Sequence, residues 1–126
     1  NEWQGTSDIS AFLAVSDAIA FLEERDWFGT IVPRCASLLE ESYRMLREAT
    51  GQESIYASPE SHAPQMAAFQ LPPGGYPSLH ADLHEQFGVE IPVFANPHGE
   101  FFRVSVQAYN GADDLQRLAD ALRSLL

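Results

Sequence analysis

Arg103 stands inside an apolar run, Phe101-Phe102-Arg103-Val104-Ser105-Val106-Gln107. Strands point successive side chains to opposite faces. Phe102, Val104 and Val106 therefore share one face, and Arg103, Ser105 and Gln107 share the other. The first face suits a core. The second is a row of hydrogen-bonding groups centred on a permanent charge. A guanidinium is costly to bury unpaired, so Arg103 needs an anion or open water. Its planar fork can give two parallel hydrogen bonds to a carboxylate or phosphate, and a clamp for such an anion is the chemistry to weigh. The plain alternative is a surface arginine on an edge strand, or a structural ion pair with Glu90 or Glu100. All seven cationic residues are arginines, and the chain has no lysine.

Other candidates are weaker. His80 and His84 lie four apart on an expected helix, with Asp82 and Glu85 nearby, a spacing that can seat a metal. Leu79, Leu83 and Phe87 form the apolar stripe of that helix, so the histidines are expected to face solvent and no metal site is assigned. His62 and His98 fall in expected loops without any spacing signal. Cys35 lies on the apolar side of a helix, where a free cysteine acts as a small hydrophobe rather than a nucleophile. Gly5-Thr6-Ser7-Asp8 precedes a helix and could offer N–H groups and a hydroxyl to an anion. An ordinary capping segment explains that stretch equally well.

The elements that must position these residues follow from periodicity. Phe12, Val15, Ile19 and Leu22 predict a helix over 9–25 with Asp8 as N-cap, broken at Trp27-Phe28-Gly29. A longer helix is expected over 31–50, with Thr30 as cap, Pro33 in its first turn and Gly51 as its stop. Ile55-Tyr56-Ala57 reads as a short extended piece and Met66–Leu71 as a strand ending at Pro72-Pro73-Gly74-Gly75. A helix starts at Ser78 and closes at Gly88. Val89, Ile91 and Val93 alternate as a short strand that Pro92 places at an edge or bulge. Asn96-Pro97-His98-Gly99 is a turn before the Arg103 strand. The last helix carries Leu115, Leu118, Leu122 and Leu125, with Asn110 as N-cap and Asp113 completing a capping pattern. Together these describe an α+β fold: two leading helices, then a mainly antiparallel sheet of three or four strands covered by helices on one face.

Composition narrows the functional classes. A chain of 126 residues is long enough for one core. The net charge is −11, spread along the chain, which argues against a basic surface for nucleic acid or anionic membrane. No apolar run approaches a membrane span. One cysteine excludes an internal disulfide and fits a reducing compartment, the expected location being the cytoplasm.

Two stretches resemble the class V aminotransferase family, in its isopenicillin N epimerase-like branch. One is Trp3-Gln4-Gly5-Thr6-Ser7-Asp8-Ile9-Ser10-Ala11-Phe12-Leu13, followed by Ala18-Ile19 and Phe21-Leu22. The other is Ile91-Pro92-Val93, then Phe102-Arg103-Val104-Ser105-Val106-Gln107-Ala108-Tyr109-Asn110 and Asp114-Leu115. The Arg103 stretch is the more specific of the two. Members are pyridoxal-phosphate enzymes of fold type I, usually homodimers, with a large cofactor-holding domain and a small C-terminal domain. The resemblance implies that Arg103 binds the α-carboxylate of an amino-acid substrate. It implies that Thr6 helps to bind the cofactor phosphate, typically across the dimer interface.

The departure from the family is the missing lysine that carries the cofactor as a Schiff base. The expectation is therefore the C-terminal part of a longer enzyme, catalytically silent alone, with residues 1–28 as an interdomain segment and residues 29–126 as the small domain. The absence of an initiator Met agrees with it. The loop before Arg103, Phe94–Glu100, has no cysteine, which disfavours a cysteine desulfurase and leaves epimerase, transaminase and lyase open. The competing reading is a self-contained α+β module that captures a small carboxylate through Arg103, Ser105 and Gln107.

Overall fold

The computed structural model describes residue 5, residues 8–56, residue 61 and residues 63–126. Helices α1 (Ser10–Leu13) and α2 (Val15–Glu24) lead into a π turn (Trp27–Ile31) and the long α3 (Val32–Thr50). Then follow β1 (Met66–Gln70), α4 (Leu79–Phe87), β2 (Val93–Asn96), β3 (Gly99–Ser105) and α5 (Ala112–Leu125). The sheet has three strands in the order β1-β3-β2, both pairs antiparallel, with Phe102 opposite Phe69 on one side and Val93 on the other. The Arg103 strand is thus central. The expected α+β class and the one-sided helical cover are what the chain adopts.

One face of the sheet builds the core. Ala67, Phe69, Phe102 and Val104 are buried there with Leu39 and Leu46 of α3, Leu83 of α4, and Leu118 and Leu122 of α5. Phe69 stacks on Phe102 at 5.2 Å, and Tyr43 of α3 lies 4.9 Å from Phe69. Cys35 is fully buried in this core, as the helical pattern anticipates. Among the described residues no helix covers the opposite face. There Arg103, Ser105 and Met66 are exposed, while Phe101 is covered by its stacking on Phe94 at 5.8 Å.

Several boundaries differ from the sequence reading, each for a local reason. The first helix is interrupted at Ala14 rather than continuous from 9 to 25. Asp8 does act at its start, accepting the Ser10 N–H at 2.8 Å. Trp27-Phe28-Gly29 does not form a coil but winds into the π turn. Asp26 takes a left-handed conformation (φ 47°) before it, and the Thr30 hydroxyl donates to the Asp26 carboxylate at 2.6 Å instead of capping α3. Residues 51–56 form no strand; Tyr56 instead accepts the Ala68 N–H with its hydroxyl oxygen at 2.8 Å, tying this stretch to β1. Ala57 lies outside the described residues. Gly51 (φ 66°) and Gly88 (φ 64°) end α3 and α4 in the left-handed conformation that glycine adopts without strain.

The start of α5 is displaced by one residue from the expected Asn110–Asp113 pair. Gly111 is the N-cap, and the Asp114 carboxylate accepts its N–H at 3.0 Å. Glycine has no side chain, so only this half of a capping box exists. Asn110 instead turns its side-chain oxygen to the Gln107 N–H at 2.8 Å. The Gly111 N–H, then the Asn110 amide and the Arg117 charge, hold the Asp114 carboxyl below its ordinary value of 3.8. A depressed carboxyl stabilises the fold above its unfolded pKa and loses that contribution as pH falls through the lower folded value. Urea midpoints of the parent chain and Asp114→Asn should therefore differ at neutral pH and converge below pH 3.8. A gap that persists in acid would show that the charge plays no part.

Candidate functional site

Arg103 leaves the sheet on its uncovered face, and lines a cleft of about 400 Å³ between the end of β3, the segment before β2 and the first turns of α5. Glu90, Pro92, Ser105, Tyr109 and Arg117 share this cleft. The site is therefore built at the point where the β2–β3 pairing stops. The last paired position is Val93 with Phe102, and beyond it the Arg103 N–H donates to the Pro92 carbonyl at 3.1 Å, joining the chain before β2 to β3.

The intramolecular partners that could have satisfied Arg103 are engaged elsewhere or unpaired with it. Glu100 is committed to the loop after β1, accepting the N–H groups of Gly75 at 3.1 Å and Tyr76 at 3.3 Å. No ion pair joins Arg103 to Glu90 among the described residues. Arg25, Arg44, Arg47 and Arg123 each form an ion pair, and Arg34 donates to the carbonyls of Ala108 at 2.9 Å and Asn110 at 3.1 Å. Arg34 so fixes the turn that follows the Arg103 strand. Among the described residues, the Arg103 guanidinium has no hydrogen-bond or ion-pair partner, and its exposure leaves it solvated and open to an anion. This open guanidinium is the chemical signature of the site.

The row of polar side chains beside Arg103 is not equally available. Gln107 uses its side-chain oxygen internally, accepting from the Ala108 N–H at 3.0 Å and the Gln65 amide at 3.2 Å. Ser105 is exposed with no side-chain partner among the described residues. Spacing could not separate these two, because the turn that consumes Gln107 is set by Asn110 and Arg34 from outside the strand. Thr6 lies outside the described residues, so Arg103 and Thr6 are not placed relative to one another. His80 and His84 are exposed on α4, and no group of three potential metal ligands is found among the described residues. No helix among those residues is long and apolar enough to cross a membrane.

No family model matches the chain. Individual relatives do. The chain is 33% identical over 125 residues to isopenicillin N epimerase of Amycolatopsis lactamdurans, covering 98% of this chain and 31% of the relative. The Streptomyces clavuligerus isopenicillin N epimerase matches to the same extent. A probable chloroplastic L-cysteine desulfhydrase of Arabidopsis thaliana is 30% identical over 142 residues, covering all of this chain and 30% of that protein. Those relatives are pyridoxal-phosphate-dependent, class V aminotransferase-like proteins. Within them the chain corresponds to a C-terminal portion, and it spans about a third of the length of the curated relatives it matches. The sequence holds no lysine for covalent attachment of such a cofactor, and among the described residues the cleft gathers Arg103, Ser105 and Arg117 beside Pro92 and Tyr109.

Proposed function

We propose that the chain serves as the C-terminal domain of a pyridoxal-phosphate-dependent enzyme acting on an amino acid, and that Arg103 binds the substrate α-carboxylate. The observation that supports this reading is the open guanidinium on the central strand, in a chain whose relatives carry enzyme names. Holding the carboxylate fixes how the bonds at Cα are turned, so Arg103 contributes through positioning rather than proton transfer. Residues 1–28 act as the interdomain segment and residues 29–126 as the small domain. Thr6, at the start of the first segment, contacts the cofactor phosphate. The lysine and the remainder of the cofactor site come from sequence outside this chain, and the whole enzyme works as a homodimer in the cytoplasm. Epimerisation, transamination and lyase chemistry remain equally compatible with a carboxylate clamp, because the groups that move protons are not among these residues.

Exposed apolar side chains at the front of the chain support an interdomain role. Ile9, Phe12, Leu13, Val15, Ile19 and Phe21 are all at least half exposed, Phe12 at 78%. Apolar side chains left this exposed suit a contact with another domain. The test compares this chain with the protein of the full reading frame after incubation with pyridoxal phosphate and gel filtration. The full-length protein should retain the cofactor one to one with its visible absorbance, and the 126-residue chain should retain none. Stoichiometric retention by the chain alone would overturn the assignment.

A further inference from the structure

The peptide geometry of β3 carries one step beyond the role of Arg103. The Leu71 N–H donates to the Glu100 carbonyl and the Val106 N–H to the Gln65 carbonyl, both at 2.8 Å. In an antiparallel pair such bonds fall on alternate residues. Residues 100, 102, 104 and 106 thus direct their peptide groups to β1, and residues 101, 103 and 105 direct theirs to the β2 edge. Arg103 gives its N–H to Pro92. The return bond would need an N–H on residue 92, which proline lacks. The ladder ends there, and the Ser105 N–H falls past its last pair, at the edge that lines the cleft.

We infer that Ser105 is the second half of the anion site: its peptide N–H and its hydroxyl join the Arg103 guanidinium in holding one carboxylate at the open edge of β3. This rests on the carboxylate-binding reading of Arg103. Three features converge on it. Ser105 has no side-chain partner among the described residues, whereas Gln107, the next residue of the row, is internally bonded. Residues 103 and 105 lie on the same face with Cα atoms about 7 Å apart, a gap that a carboxylate spans when the guanidinium folds along the strand. Arg117, exposed in the first turns of α5, lines the same cleft and adds positive charge to offset Glu90 there. Pro92 has a definite part in this arrangement, since it stops the ladder before Ser105 would be paired.

The test is a titration of the ¹⁵N-labelled 126-residue chain with sodium acetate, with methylammonium chloride as the control for ionic strength. Saturable shifts of the Ser105 amide and the Arg103 side-chain N–H are expected with acetate and not with methylammonium. Arg103→Ala should abolish them, and Ser105→Ala should weaken acetate binding roughly tenfold, the loss of a hydrogen bond to a charged group. Saturable Arg103 shifts with a still Ser105 amide and unchanged affinity in Ser105→Ala would overturn this inference and leave the Arg103 role standing. Acetate binding that survives Arg103→Ala, or no binding at all, would overturn both.

Discussion

Replacing Arg103 by alanine in the full-length enzyme is expected to raise KM for a carboxylate-bearing substrate at least thirtyfold, about 2 kcal/mol or more. The fold should survive the change. Arg103 makes no intramolecular ion pair among the described residues, and the neighbouring acid Glu100 is satisfied by the Gly75 and Tyr76 N–H groups. Truncation therefore orphans no buried charge, and a loss of function cannot be put down to unfolding. Arg103→Lys should fall between the two, since an ammonium keeps the charge but not the paired donors of the guanidinium. Steady-state kinetics on the three proteins, with thermal melts as a fold control, decide the matter. An unchanged KM in Arg103→Ala would remove the carboxylate role.

The second large effect lies one residue earlier and has the opposite character. Phe102 is fully buried, central in the sheet, and stacked on Phe69. Phe102→Ala should cost about 3–5 kcal/mol, the usual range for emptying an aromatic site in a core. Against a typical domain stability of about 5–15 kcal/mol, that is a large share and reads directly as a shift in the urea midpoint. Phe94→Ala is the matched control. Phe94 is 41% exposed on the uncovered face, so its loss should be several-fold smaller. Equal losses would mean that the two faces of the sheet are not the distinct environments described above.

That adjacency of a structural and a functional residue was legible in the sequence because strand alternation is a strict period of two. Phe102, Val104 and Val106 are buried and Arg103 and Ser105 exposed, as the pattern requires. Helix α4 was equally legible: Ser78 and Gly88 bracket it, and Leu79 and Leu83 fall on its buried side. What could not be read depended on contacts from elsewhere. The break at Ala14 has no glycine or proline to announce it. The π turn depends on the Asp26–Thr30 bond, which no periodicity encodes. The cap of α5 moved to Gly111 because Asn110 is engaged by Gln107. In the candidate site, the type and face of Arg103 were readable. The commitment of Glu100 to the Gly75–Tyr76 loop was not, because it joins residues 25 apart along the chain.

Helices α1 and α2 contain no buried residue, although their sequence has the apolar content of a core helix. Such a segment adds almost nothing to the cooperative stability of the chain that bears it. A helix of ten residues standing alone in water is marginal. Its amides should exchange with solvent through local opening, many orders of magnitude faster than those of α5. Whatever surface covers Phe12 and Ile19 would then set the persistence of this helix. The segment's order becomes a reporter of assembly, and its hydrogen-exchange protection would measure the association of the two parts without any catalytic assay.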